Sequence, residues 1–94
     1  MAEFDIAFDV FLDPHEFDLN SDKLVESISS AAEIAQLGEV HAGGEASTGL
    51  LNVSFLITAI DLSAATNTAY NLLLGAIKIS GIKAEIRNQT AIAV

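Results

Sequence analysis

The chain has no cysteine, one proline (Pro14), one tyrosine (Tyr70) and only four basic residues among 94. Without cysteine there is no disulfide, zinc thiolate, iron–sulfur cluster or thiol nucleophile. That absence fits a reducing compartment, and a cytoplasmic location is expected. Long apolar runs are also missing. The stretch Leu62 to Ile77 is uncharged but is broken by Ser63, Thr66, Asn67, Thr68 and Asn71, whereas a spanning helix needs about 18 or more mostly apolar residues. The opening "MAEFDIAFDVF" carries acids where a secretory signal needs a basic end and an unbroken apolar core. Neither membrane insertion nor export is expected.

Scarcity of bases has its own consequence. The net charge is −9, and its placement is uneven. Residues 1–45 hold eleven of the thirteen acids and one base, Lys23, while residues 46–94 hold Asp61 and Glu85 against Lys78, Lys83 and Arg87. Such a surface repels phosphates and anionic lipid and attracts basic partners. Binding to nucleic acid or membrane is therefore not expected, and a basic protein partner is.

What is present is a strong hydrophobic pattern, 51% of the residues, enough for one core in a single domain spanning 1–94. "EFDIAFDVFL" alternates, with Phe4, Ile6, Phe8, Val10 and Leu12 on one face and Glu3, Asp5, Ala7, Asp9 and Phe11 on the other. Leu24, Ile28, Ala31, Ala32 and Ala35 then recur at helical spacing, with Gly38 placed to stop that helix. "EVHAGGEAS" predicts a weaker strand in which Gly43-Gly44 marks a bend, a bulge or an early hairpin turn. In "LLNVSFLITAI", Leu51, Val53, Phe55, Ile57 and Ala59 share a face. Asp61 and Ser63 suit a helix start; the helix after them buries Ala65, Ala69, Leu72, Leu73 and Ala76, and Gly81 closes it. "IKAEIRNQTAIAV" predicts a last strand, with Ile82, Ala84 and Ile86 opposite Lys83, Glu85 and Arg87.

The order strand–helix–strand–strand–helix–strand, with faintly similar halves 1–46 and 47–94, predicts the ferredoxin-like α+β sandwich. In that fold a four-stranded antiparallel sheet of order 4-1-3-2 carries two helices on one face. The last strand would then lie beside the first and bring Lys83 and Arg87 near Asp5 and Asp9. Members of this superfold that bind RNA stack bases on aromatics of the two central strands. Here those positions read Glu3, Asp5, Ala7, Asp9 and Asn52, Ser54, Leu56, Thr58. The Cys-x-x-Cys loop of metal-chaperone members and the arginine-bearing anion cradle of acylphosphatase-type members are both missing. The fold by itself implies no activity.

The segment "DPHEFDLNSD", residues 13–22, concentrates acids around His15. Asp18, Asn20 and Asp22 start like an EF-hand loop, but Lys23 stands where glycine is needed and Ser29 where the bidentate glutamate belongs. Asp13, His15, Glu16 and Asp18, with His41 as a distant ligand, would make a weak and unselective site. The simpler expectation is a solvated connection that Pro14 separates from the strand, with Asn20, Ser21 and Asp22 capping the first helix. His15 and His41 lack a nucleophile elbow or phosphate loop beside them. No enzyme, cofactor or bound metal is expected.

Interaction surfaces remain. Tyr70, Leu74 and Ile77 form a second apolar stripe on the second helix, and Leu56, Ile60 and Phe11 lie on the sheet's nominally open face. The acids Asp5, Asp9, Asp13, Glu16, Asp18 and Asp22 offer a charged counterpart. The function expected is a non-catalytic protein-interaction module that self-associates as a homo-oligomer and binds another protein through its acidic half. Two alternatives are an acidic nucleic-acid mimic that inhibits a basic host protein, of the phage type, and a small-molecule-sensing regulatory domain.

Overall fold

The computed structural model describes residues 1–37 and 39–94. In chain order the elements are β1 (Ala2–Phe11), a 3-10 turn (Pro14–Glu16), α1 (Phe17–Ile34), β2 (Val40–Glu45), β3 (Leu50–Ala59), α2 (Leu62–Ser80) and β4 (Glu85–Ala93). The strands make one antiparallel sheet ordered β2-β3-β1-β4, with both helices against the same core. This is the ferredoxin-like α+β layout.

Period-two alternation explains the two central strands. Phe4, Ile6, Phe8 and Val10 stand opposite Ile57, Phe55, Val53 and Leu51, and all eight are buried. Helical spacing supplies the other half of the buried residues: Leu24, Ile28 and Ala32 from α1, and Ala65, Ala69, Leu73 and Ala76 from α2. The rings of Phe8 and Phe55 meet edge-to-face, with centroids 6.1 Å apart, a geometry that suits the aromatic quadrupoles.

The ends of α2 follow the sequence. The Asp61 carboxylate accepts a hydrogen bond from the Ala64 amide at 2.8 Å, and Gly81 adopts φ 71° with its N–H directed to the Lys78 carbonyl. The start of α1 does not follow it. Asn20, Ser21 and Asp22 lie inside the helix, which begins at Phe17. Asp13 instead caps the 3-10 turn, accepting from the His15 amide at 3.0 Å. Phe17 belongs to the core stripe through Leu24 and Ile28, but Ser21, one turn on, hides that periodicity. Ser21 is tolerated there because its Oγ donates to the Asp18 carbonyl at 3.2 Å. At its other end α1 stops with Ala35 as cap and Gln36 at φ 56°. The stop expected at Gly38 lies outside the described residues.

The glycine pair behaves unlike a bend. Gly43 and Gly44 pair in regular register with Asn52 and Leu51 inside β2. The irregularity is in β4, where the register against β1 shifts between Asp9 and Val10 and leaves Arg87 as the extra residue. A bulge reverses the parity of every residue beyond it. Ile86 faces the core opposite Val10, but Asn88, Thr90 and Ile92 turn to the open face opposite Asp9, Ala7 and Asp5.

The turn between β2 and β3 ends on Gly49, which is buried with φ 74°. Its carbonyl accepts from the Leu12 amide at 2.7 Å, tying this turn to the end of β1. A Cβ at this position would run into the Leu12 carbonyl oxygen. Gly49→Ala therefore combines left-handed strain with a backbone collision, and should lower unfolding free energy by roughly 2–4 kcal/mol. Urea denaturation checks this, and a loss below about 0.5 kcal/mol would contradict the contact.

Candidate functional site

The acids do not form one patch. Asp5 and Asp9 project from β1 onto the open face of the sheet, while Asp13, Glu16, Asp18 and Asp22 lie at the turn and along α1, on the helix side. On the open face the Asp9 carboxylate accepts from Asn52 Nδ2 at 3.0 Å and from Asn88 Nδ2 at 3.3 Å, so one side chain links β3, β1 and β4. The cross-strand ion pairs expected with Lys83 and Arg87 do not form there. Lys83 precedes β4, and the bulge aims Arg87 at Phe11, its Cζ 4.1 Å from the ring centroid. Its Nη2 lies 3.5 Å from Glu85 Oε2. Asp5 faces Leu56 and Ile92, both apolar.

The helix side is more organised. Asp18, Asp22, Glu26 and Glu33 are exposed and, at 100° per residue, fall within roughly 80° of arc on α1. α1 packs against β2 and α2, and this row is on its β2 side. Asp22 and Glu26 form one wall of a groove of about 510 Å³ whose other wall is the backbone of Ala42, Gly43 and Gly44. Phe17, Val25 and Leu51 contribute apolar surface to it. The arrangement is carboxylates above, aliphatic and aromatic carbon below, and a strand edge opposite. It suits a cation on a long aliphatic stem.

Gly44 is required for that shape. A Cβ on it would sit 2.6 Å from Phe17 Cζ and 3.1 Å from the Leu50 carbonyl oxygen, so the Phe17 ring lies directly over its Cα. Sequence reasoning read the glycine pair as a backbone signal, and the contact with a ring 27 positions earlier left no local trace.

The remaining candidates are dispersed. His41 Nε2 lies 3.1 Å from Glu39 Oε2 with both side chains exposed, and His15 is exposed at the 3-10 turn. Among the described residues no three His, Asp or Glu side chains are grouped so as to hold a metal ion. None of the helices is long and apolar enough to cross a membrane, among the described residues. Tyr70 is partly exposed and lies against Phe8, ring centroids 6.2 Å apart. Leu74 and Leu56 are half-buried, Ile77 packs on the core margin, and Ile60 is exposed just beyond β3. Exposed Ile34, Ile79, Ile92 and Val94 escaped the sequence reading. Ile92 did so because the bulge reverses its face, and Ile34 and Ile79 because each lies off its helix's core stripe.

No protein-family model matches the chain, and no curated protein matches its sequence.

Gly44→Ala should force the Phe17 ring from its seat at a cost of about 1–3 kcal/mol. In a Phe17→Ala background the same change should cost markedly less, leaving only the close approach to the Leu50 carbonyl oxygen. A double-mutant cycle by chemical denaturation measures this coupling, and additive effects would separate the two residues.

Proposed function

We propose that this protein is a non-catalytic interaction module that docks a basic segment of another protein along α1 and β2, and that it self-associates through a different surface. The observation that carries the docking role is the groove between Asp22 and Glu26 on one side and Gly43-Gly44 on the other. Lysine or arginine stems would lie over Phe17 and Val25 with their charged ends toward the carboxylates. Asp18 and Glu33 extend the negative row along the helix, and Glu39 and Glu45 flank the strand. Exposed pairs contribute only about 0.2–1 kcal/mol each. Affinity would therefore come from several pairs acting together, with association accelerated by the field. The non-catalytic part of the reading is supported by the dispersal of both histidines on the surface, with His41 engaged by Glu39.

A second reading has one observation in its favour. Asp18, Asp22 and Glu26 follow at one-turn intervals, a regular line of negative charge that could occupy a phosphate-binding track on a basic protein.

Binding of a labelled oligolysine peptide, followed by fluorescence anisotropy across a salt series, tests the docking role. Affinity should fall steadily with salt, and Asp22→Asn with Glu26→Gln should weaken it by roughly 2–30-fold. The control pair Glu3→Gln with Asp5→Asn, on the other face of the sheet, should change it little. Absence of binding at low salt, or equal losses from the two pairs, would remove the groove from the reading.

A further inference from the structure

The two edges of the sheet differ in kind. β2 is only six residues long, follows directly on Glu39, ends on Glu45, and holds His41 and two glycines. Those are the usual means of discouraging edge pairing. β4 is nine residues long, and beyond its bulge the segment 88–94, "NQTAIAV", contains no charge and no proline. The Val94 amide donates to the Glu3 carbonyl at 2.9 Å. Antiparallel pairing alternates, so Asn88, Thr90, Ile92 and Val94 direct their backbone groups to β1, and Gln89, Ala91 and Ala93 direct theirs outward. Among the described residues no strand meets that outer edge.

We propose that the occupant is β4 of a second copy, paired antiparallel about a two-fold axis to give a continuous eight-stranded sheet. The proposal rests on the self-association in the functional reading and names its surface. An antiparallel edge is self-complementary under a two-fold. With the axis beside Ala91, Gln89 faces Ala93 of the other copy and Thr90 faces its Ile92, so no charged side chain enters the ladder. Small alanines on the helix side leave the approach unobstructed. Ile92, 64% exposed, gains the methyl group of Thr90 of the other copy as a neighbour. Above the seam, helical spacing sets Tyr70, Leu74 and Ile77 on the side of α2 turned away from α1. Four strands at about 4.8 Å spacing put the two β1 strands about 14 Å apart. The α2 helices lie over β3 and β1, so their axes would stand at least that far apart, beyond the roughly 8–10 Å of packed helices, and Tyr70 and Leu74 would line the cleft between them.

Charge selects this edge over the other. Two copies of net charge −9 must keep their acidic flanks apart. Joined at β4, the two β2 strands lie about 34 Å apart, roughly four Debye lengths at physiological salt. Joined at β2, Glu39, Glu45 and the α1 acids of both copies would crowd together.

The mass in solution, measured by light scattering over a concentration series, should reach twice 9.9 kDa and hold at high salt. Amide hydrogen exchange by NMR should show Gln89, Ala91 and Ala93 protected in the dimer and losing roughly tenfold or more of that protection on dilution. Ala91→Pro removes an outward donor while leaving the bonds to β1 in place, and should yield a folded monomer by circular dichroism. Ile92→Lys, an exposed position, should weaken the dimer by roughly tenfold or more even if the proline variant does not fold. A monomer at every concentration overturns both the self-association reading and this interface. A dimer whose β4 edge amides exchange freely, or one unaffected by Ile92→Lys, overturns the β4 assignment alone and leaves self-association standing.

Discussion

The packed face of β1 organises everything else. Phe4, Ile6, Phe8 and Val10 fill the space beneath the helices, while the strand's backbone pairs with β3 along its whole length and with β4 on its other side. Both partners must be antiparallel to it, so each strand–helix–strand unit is split by a strand of the other, and the helices are driven to one side. Leu12 then anchors the turn before β3 through Gly49, so the end of β1 also determines where β3 begins. Displacing Phe8 would loosen the packing of both β3 and α2, because its ring lies against Phe55 on the neighbouring strand and Tyr70 on the helix.

From that frame follows a molecule with two unlike flanks. α1 lies toward β2, and α2 over β3 and β1 with β4 beyond. The acids of α1 and β2 accordingly line the α1–β2 side, while Glu3, Asp5 and Asp9 of β1 lie on the open face. A field of one sign on one flank favours encounter with a basic partner. The other flank is where a second copy meets least repulsion. Hetero-association and self-association would then use opposite ends of the sheet and need not compete.

The open face between these flanks is quieter. Asp9 is occupied by two asparagines and Arg87 by Phe11 and Glu85, so its principal charges are engaged within the sheet. Asp5 has apolar neighbours on both sides, which gives this face a mixed polar and apolar surface. Backbone irregularity explains the difference from the expected charge pairing. Lys83 precedes β4, and the bulge at Arg87 turns the other base onto Phe11, so only one of the two reaches the face at all.

The sequence by itself determined the element order, the alternation of the central strands, Leu24, Ile28 and Ala32 of the α1 stripe, the core stripe of α2 and its caps, because these depend on residues a few positions apart. The uneven charge was legible in the same way. Ala35, expected in the α1 stripe, is the exposed C-cap. What only the tertiary structure decided involves partners far apart in the chain. Ser21 masked the early start of α1 until the core showed that Phe17 belongs to it. Gly44 pointed to a bend, a bulge or an early turn, whereas it lies in regular register beneath the Phe17 ring. The parity of β4 depended on a bulge with no glycine to announce it, and with it went the placement of Arg87, Asn88 and Ile92. Local periodicity records which face a residue prefers, but register, bulges and close approaches are settled by what the neighbouring strand or ring requires.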